Sequence, residues 1–90
     1  KKFHSFELCQ NYPNPFNPDT QIQFSISKPG LVTINLFDIH GRYIQTLTHR
    51  VYQSGAHKIT FNASTLANGV YMYKMRSGDF TAVRKCILIK

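Results

Sequence analysis

The sequence predicts an all-β domain, an antiparallel β-sandwich of about seven strands in two sheets. Three observations support this fold class. Several segments alternate between apolar and polar residues, turn residues recur at intervals of about ten positions, and no stretch shows helical periodicity beyond one turn. The chain has 90 residues, of which 42% are hydrophobic. That is enough for one domain with a core of modest size.

The segment QNYPNPFNPDT, residues 10–20, opens the predicted domain and is rich in proline and asparagine. Proline excludes a helix here, and asparagine side chains can bond nearby backbone N–H groups, so we expect a rigid lead-in segment. Tyr12 and Phe16 are predicted to be apolar contacts pressed against the domain. We assign residues 1–9 to the end of a linker from an upstream domain and residues 10–90 to the β-sandwich. A start at Lys1 without methionine suggests a module excised from a longer precursor.

The first two long strands are predicted from period-two alternation. One runs from Thr20 to Ser27, and the turn residues Lys28–Gly30 separate it from the other, which ends at Asp38. Because a short turn connects them, we predict an antiparallel hairpin. The inward residues of the two strands are predicted to be Ile22, Phe24, Ile26, Val32, Ile34 and Leu36.

The remaining strands follow from the same pattern. Asp38 is expected to cap a turn that Gly41 closes in the left-handed conformation. Tyr71 and Tyr73 share the inward face of a later strand. The further strands are predicted at Arg42–His49, Gln53–Asn62, Val70–Arg76 and Phe80–Ile89, with a short pairing segment at Phe6–Leu8.

The last strand departs from alternation because residues 86–89 are all apolar. One apolar face is therefore left over. Two interpretations stay open: the N-terminal segment covers this face, or the strand keeps an exposed edge for a partner or for pairing with its own copy.

Positive charge is concentrated in the second half of the chain. The net charge is +7, but residues 1–41 sum to zero, while residues 42–90 carry eight cations against Asp79 alone. Such a surface suits nucleic acid, an anionic membrane or an acidic protein, and it also suits simple solubility. We expect no nucleic-acid partner, because the tyrosines that could stack on bases belong to the inward face. No apolar run is long enough for membrane insertion.

The sequence contains no recognisable catalytic or cofactor motif. The four histidines lack metal-binding spacing, and three of the four carboxylates fall in predicted turns. We therefore expect no enzyme, no metal and no cofactor in this domain, although a parent protein could carry an activity upstream. Cys9 and Cys86 lie near opposite ends of the chain, and whether they form a disulfide stays open.

Four segments of the chain contain short motifs at recognisable spacing: Leu8–Thr20, Leu36–Arg42, Asn68–Tyr71 and Lys85–Lys90. Together they resemble the C-terminal sorting domain of type IX secretion cargo, the type A or Por secretion tail. They occur in the family's order and cover the chain from about Leu8 onward. Asp38, Gly41 and Arg42 match an Asp-x-x-Gly-Arg turn, and Gly69 and Tyr71 match a Gly-x-Tyr element.

The resemblance implies an immunoglobulin-like sandwich in a secreted precursor from a Bacteroidetes-type bacterium. Such a domain crosses the periplasm and is recognised by an outer-membrane translocon. A sortase-like peptidase then commonly removes it, and the cargo is released or joined to lipopolysaccharide at the cell surface. Cys86 departs from the family pattern, which usually has a larger apolar residue there.

We predict that the translocon recognises the last strand, and that it does so by strand addition to an unpaired edge. The residues of this predicted site are Lys85, Cys86, Ile87, Leu88, Ile89 and Lys90. The alternative function is a permanent immunoglobulin-like or fibronectin-like module of the flagellar hook-cap type, which binds another subunit or a polysaccharide.

Overall fold

Seven antiparallel strands form two packed sheets in the computed structural model, which describes residues 5–90. The smaller sheet has the order β1-β2-β5 and the larger one the order β4-β3-β6-β7. The predicted all-β sandwich is therefore confirmed. The strands are β1 (Glu7–Leu8), β2 (Asp19–Ile26), β3 (Gly30–Asp38), β4 (Tyr43–Tyr52), β5 (Gly55–Asn62), β6 (Gly69–Ser77) and β7 (Phe80–Leu88).

The core lies between the two sheets and consists of the inward residues of the alternating strands. Strands β2, β3 and β6 bury alternate side chains, as the pleat of a strand requires. Tyr73 and Met75 are fully buried, which confirms the predicted inward face of β6. The six inward residues predicted for β2 and β3 are also buried, each at most 1% exposed.

The predicted hairpin between β2 and β3 is wrong. β2 pairs with β1 and β5, whereas β3 pairs with β4 and β6, so the two strands belong to different sheets. Residues 27–29 carry the chain from one sheet to the other. Both strands bury one apolar face, and packing these faces against each other removes more apolar surface from water than placing them side by side would.

Two other turns do close hairpins within the larger sheet. Asp38–Gly41 joins β3 to β4, and Gly41 has a φ of +81°, as expected for the left-handed conformation. Gly78, with a φ of +59°, closes the hairpin between β6 and β7. The structure extends β4 beyond its predicted end at His49 to Tyr52.

The N-terminal part of the described chain packs on the sandwich. β1 pairs with β2, Leu8 is buried in the core, and the ring of Phe6 stacks on that of Phe80 at 5.4 Å. Residues 5–9 thus contact the domain within the range predicted to be linker, whose residues 1–4 lie outside the described part. The boundary between residues 9 and 10 stays a prediction. Across residues 5–90, no helix has the length and apolar character needed to cross a membrane.

Candidate functional site

The predicted recognition residues Lys85–Lys90 occupy the end of β7 and the two residues after it. β7 is the edge strand of the larger sheet and pairs with β6 on one side. Cys86 and Leu88 point into the core and are almost completely buried, whereas Ile89 is 53% exposed. Lys85 and Ile87 alternate with the buried pair and therefore project from the outer face. The spare apolar face predicted from the sequence is this outward row.

Along Lys85–Ile89, the edge of β7 that faces away from β6 is bonded by the N-terminal part of the chain. Of the two interpretations left open by the sequence, the unpaired edge is therefore wrong for this stretch. The backbone N–H of Phe16 donates to the C=O of Ile87 at 2.9 Å, and the N–H of Ile89 donates to the C=O of Phe16 at 3.1 Å. The two chains run parallel here, joined by a bridge between Phe16 and Leu88. The lead-in segment therefore covers the edge groups that a partner strand would need.

Two side chains of the lead-in segment continue this coverage. The N–H of Ile87 donates to Oδ1 of Asn14 at 2.9 Å, and Nε2 of Gln10 donates to the C=O of Lys85 at 2.6 Å. Both bonds connect residues more than 70 positions apart in the chain. Sequence reasoning assigned the asparagines of this segment to nearby backbone and missed this long-range role. No local pattern distinguishes the two uses of the side chain.

A buried polar cluster holds the lead-in segment in place. Nδ2 of Asn11 donates to the hydroxyl of Thr20 at 2.9 Å, and that hydroxyl donates to the C=O of Pro13 at 2.8 Å. Asn11 and Thr20 are both almost fully buried, so these bonds are shielded from competing water. These bonds fix the position of the lead-in segment beside β2, and its rigidity stays a prediction.

The two aromatic residues of the lead-in segment behave differently. Phe16 is 2% exposed, and its ring lies 5.7 Å from that of Phe61, so the predicted apolar contact is confirmed. Tyr12 is 81% exposed, and the same prediction for it is wrong. Tyr12 exchanges two backbone hydrogen bonds with Gln21, and strand alternation then turns its side chain towards solvent.

The Asp38 turn is closed by a set of charge-assisted hydrogen bonds. Oδ1 of Asp38 accepts from the N–H groups of His40 and Arg42 at 2.8 and 3.0 Å, and Oδ2 pairs with Nε of Arg42 at 3.0 Å. The backbone bond from Arg42, followed by those from His40 and the guanidinium, lowers the pKa of the carboxyl below its ordinary value. Asp38 therefore caps the turn, as the sequence predicts.

The fold brings three distant motifs into one row of the larger sheet. Asp38 on β3 is the register partner of Tyr71 on β6, and Tyr71 is the partner of Cys86 on β7. The hydroxyl of Tyr71 donates to the C=O of Ala67, which holds the loop before β6 against the sheet. Gly69, at the start of β6, has a φ of +152°. The motif residues thus hold together the end of the sheet on which the Lys85–Lys90 segment lies.

Lys90 is attached to the same loop. Its N–H donates to Oδ1 of Asn68 at 2.9 Å, and its ammonium donates to the C=O of Ser64 at 3.1 Å. Both bonds are exposed to solvent. They position the end of the Lys85–Lys90 segment beside the loop between β5 and β6.

The two cysteines are free thiols in this structure. Cys86 is buried, and burial raises the pKa of its thiol to about 11. The neutral thiol therefore predominates at physiological pH, and Cys86 behaves as a small apolar core residue. Cys9 accepts, through its backbone C=O, a 2.7 Å hydrogen bond from the hydroxyl of Tyr73.

The described residues contain no group of three potential metal ligands. Hollows on the surface of residues 5–90 include ones with volumes of about 230 to 410 Å³. The features that stand out are the hydrogen-bonded lead-in segment, the bonded edge of β7 and the outward side chains of Lys85, Ile87 and Ile89.

Comparisons with known proteins bear on the family of this chain. No curated protein matches the chain. A family model described as the secretion system C-terminal sorting domain matches residues 10–90, which include the lead-in segment and all strands from β2 to β7. The chain therefore belongs to the family of C-terminal sorting domains of type IX secretion.

Proposed function

We propose that the outer-membrane translocon of type IX secretion recognises this domain through the outward side chains of the Lys85–Lys90 segment. Membership of the family makes the domain a sorting signal, and the protein that carries it is secreted or displayed at the cell surface. The proposal adds which residues are recognised and how.

The observation that carries the proposal is that alternate residues of this segment face opposite sides of the sheet. Cys86 and Leu88 anchor it in the core, while Lys85, Ile87 and Ile89 project from the opposite face. Because the lead-in segment already bonds the outer main chain of Lys85, Ile87 and Ile89, strand addition there would first have to displace Phe16. Recognition through side chains requires no such displacement.

After translocation, a sortase-like peptidase separates the domain from its cargo, which is released or anchored to the surface. Cleavage requires an extended, accessible chain. Residues from Glu7 onward are hydrogen bonded in β1 and the lead-in segment, so the proposed cleavage site lies on the N-terminal side of β1.

Export of a reporter fused to this domain, in a host with the type IX system, tests the recognition site. The double variant Lys85→Ala/Ile89→Ser should retain the reporter in the periplasm without a change in thermal stability, since both side chains are exposed. The matched control is Lys58→Ala/Val51→Ser, which alters an exposed cation on β5 and an exposed aliphatic on β4. Normal secretion of the Lys85/Ile89 variant would refute the proposal.

Point variants are preferable to deletion of the whole segment. Removing residues 85–90 also removes the buried side chains of Cys86 and Leu88, so a loss of export would not separate misfolding from lost recognition. The mass of the secreted reporter tests cleavage separately, because a cleaved product lacks the mass of the domain. A secreted reporter that keeps the domain would instead support the permanent-module alternative.

A further inference from the structure

The outer face of the larger sheet contains an apolar hollow beside the Asp38 turn. Phe37, Met72 and Val83, from three neighbouring strands, line it together with Gly41 and the stem of Lys74. Its volume is about 240 Å³, enough for one apolar side chain. Val83 is 52% exposed.

A second hollow, about 230 Å³ in volume, lies next to the first and shares Phe37 and Lys74 with it. Its other lining residues are Thr33, Asn35 and Arg76. The two hollows differ in character. The first is apolar, whereas the second has two cations on β6, Lys74 and Arg76, opposite the polar side chains of β3.

The two cations of the second hollow have no acidic partner among residues 5–90. The ion pair found in that range joins Asp38 to Arg42. Glu7 and Asp19 belong to the other sheet, and Asp79 lies in the turn after β6. This face therefore complements an anionic surface, and it opposes a second copy of itself, since like charges would meet.

We infer that these paired hollows form a docking surface for an extended acidic segment of a partner protein. Phe37 and Met72, which line the first hollow, form a cross-strand pair. Asn35 and Lys74, which line the second, form another such pair two residues further along the strands. Two residues of an extended chain span about 6.6 Å. The partner segment therefore places an apolar side chain in the first hollow and a carboxylate, two positions on, between Lys74 and Arg76.

The composition of this face favours a protein over a lipid surface. Protein interfaces are enriched in aromatic residues, methionine and arginine, and Phe37, Met72 and Arg76 are of these types. A lipid surface attracts the cations but offers no side chain that fits one defined apolar hollow. The inference is independent of the proposed function, because none of the residues that line the two hollows belongs to the Lys85–Lys90 segment.

The test is an NMR titration of the isotope-labelled domain with a short blocked peptide, Gly-Leu-Thr-Glu-Thr-Glu-Gly, and with its twin in which both glutamates are glutamine. The acidic peptide should shift the amide signals of Phe37, Met72, Lys74 and Val83, with a Kd on the order of 1 mM. Lys74→Gln/Arg76→Gln should weaken binding about tenfold. The equally charged control Lys28→Gln/Lys58→Gln, which lies outside both hollows, should bind as the unaltered domain does.

Three results would overturn the inference. The first is the absence of shifts at these amides at millimolar peptide. The second is equal binding of the glutamine twin, which would show that charge has no role. The third is tight binding of the domain to anionic phosphatidylglycerol vesicles, lost in Lys74→Gln/Arg76→Gln, without peptide binding. That result would assign the face to a lipid surface.

Discussion

Replacing Phe16 by alanine should destabilise the domain strongly, whereas replacing Tyr12 by alanine should have little effect. Both residues are aromatic, and they are only four positions apart in the same proline-rich segment. Phe16 is 2% exposed and packs on Phe61, while Tyr12 is 81% exposed. Comparing the two substitutions therefore tests the effect of burial while residue type and segment stay similar.

The expected magnitude follows from this burial. Truncation of a buried phenylalanine to alanine costs about 3–5 kcal/mol through lost apolar burial and the cavity left behind. The backbone bonds of residue 16 to Ile87 and Ile89 remain possible in the variant, so we expect about 3 kcal/mol. A domain of this size has a free energy of unfolding of about 5–13 kcal/mol. The loss is therefore a large fraction of the total, and Tyr12→Ala should cost less than about 0.5 kcal/mol.

Urea denaturation followed by circular dichroism measures both free energies of unfolding. Hydrogen exchange adds a local measurement, because the N–H of Ile89 bonds to the C=O of Phe16. In Phe16→Ala this amide should exchange faster than the loss of global stability accounts for. Equal destabilisation by the two substitutions, or a loss below about 1 kcal/mol for Phe16→Ala, would refute the packing argument.

Three further predictions follow from individual groups. The lowered pKa of Asp38 gives stability that is present above about pH 4 and is lost as the pH falls further, so Asp38→Ala should lower the free energy of unfolding at pH 7 and make it fall less between pH 7 and pH 3. A urea midpoint that falls equally in the variant and the unaltered domain between these two pH values would contradict this. The raised pKa of Cys86 acts in the opposite direction, because the unfolded chain loses the thiol proton at a lower pH than the folded domain does; the free energy of unfolding should therefore fall by about 2–3 kcal/mol between about pH 9 and 11, and by less in Cys86→Ala. The same dependence of the free energy of unfolding on pH in Cys86→Ala and the unaltered domain would count against it. Asn14→Ala should cost about 1 kcal/mol and speed hydrogen exchange of the Ile87 amide, whereas Asn17→Ala in the same segment should do neither. Equal exchange rates of the Ile87 amide in the two variants would show that the bond from Asn14 does not protect it.

The bonded edge of β7 has a consequence for how a sorting domain avoids aggregation in transit. An exposed edge strand with apolar side chains is a template for pairing with other chains. Here the lead-in segment bonds the edge at Lys85, Ile87 and Ile89, while the side chains on the outer face stay accessible. Recognition of the Lys85–Lys90 segment through its side chains, as proposed above, would therefore not expose its main chain to other copies of the domain.

The sequence by itself determined the strands, their inward faces and the Asp38 turn. Alternation with a period of two specifies which side chains of a strand share a face, and this was enough to identify Ile34 or Tyr73 as core residues. The turn was predictable because the residues that bond in it are neighbours in the chain: Asp38, His40 and Arg42. The family could also be recognised, because its motifs are short and local.

Only the tertiary structure decided which strands pair and what covers the edge of β7. Alternation specifies a face but not a neighbour, so the chain segment at Lys28–Pro29 could equally close a hairpin or cross between sheets. The burial of Phe16 rather than Tyr12, and the bonds from Gln10 and Asn14 to β7, depend on contacts between residues far apart in the chain. Such contacts leave no local signature, because their energy arises only when packing brings the two segments together.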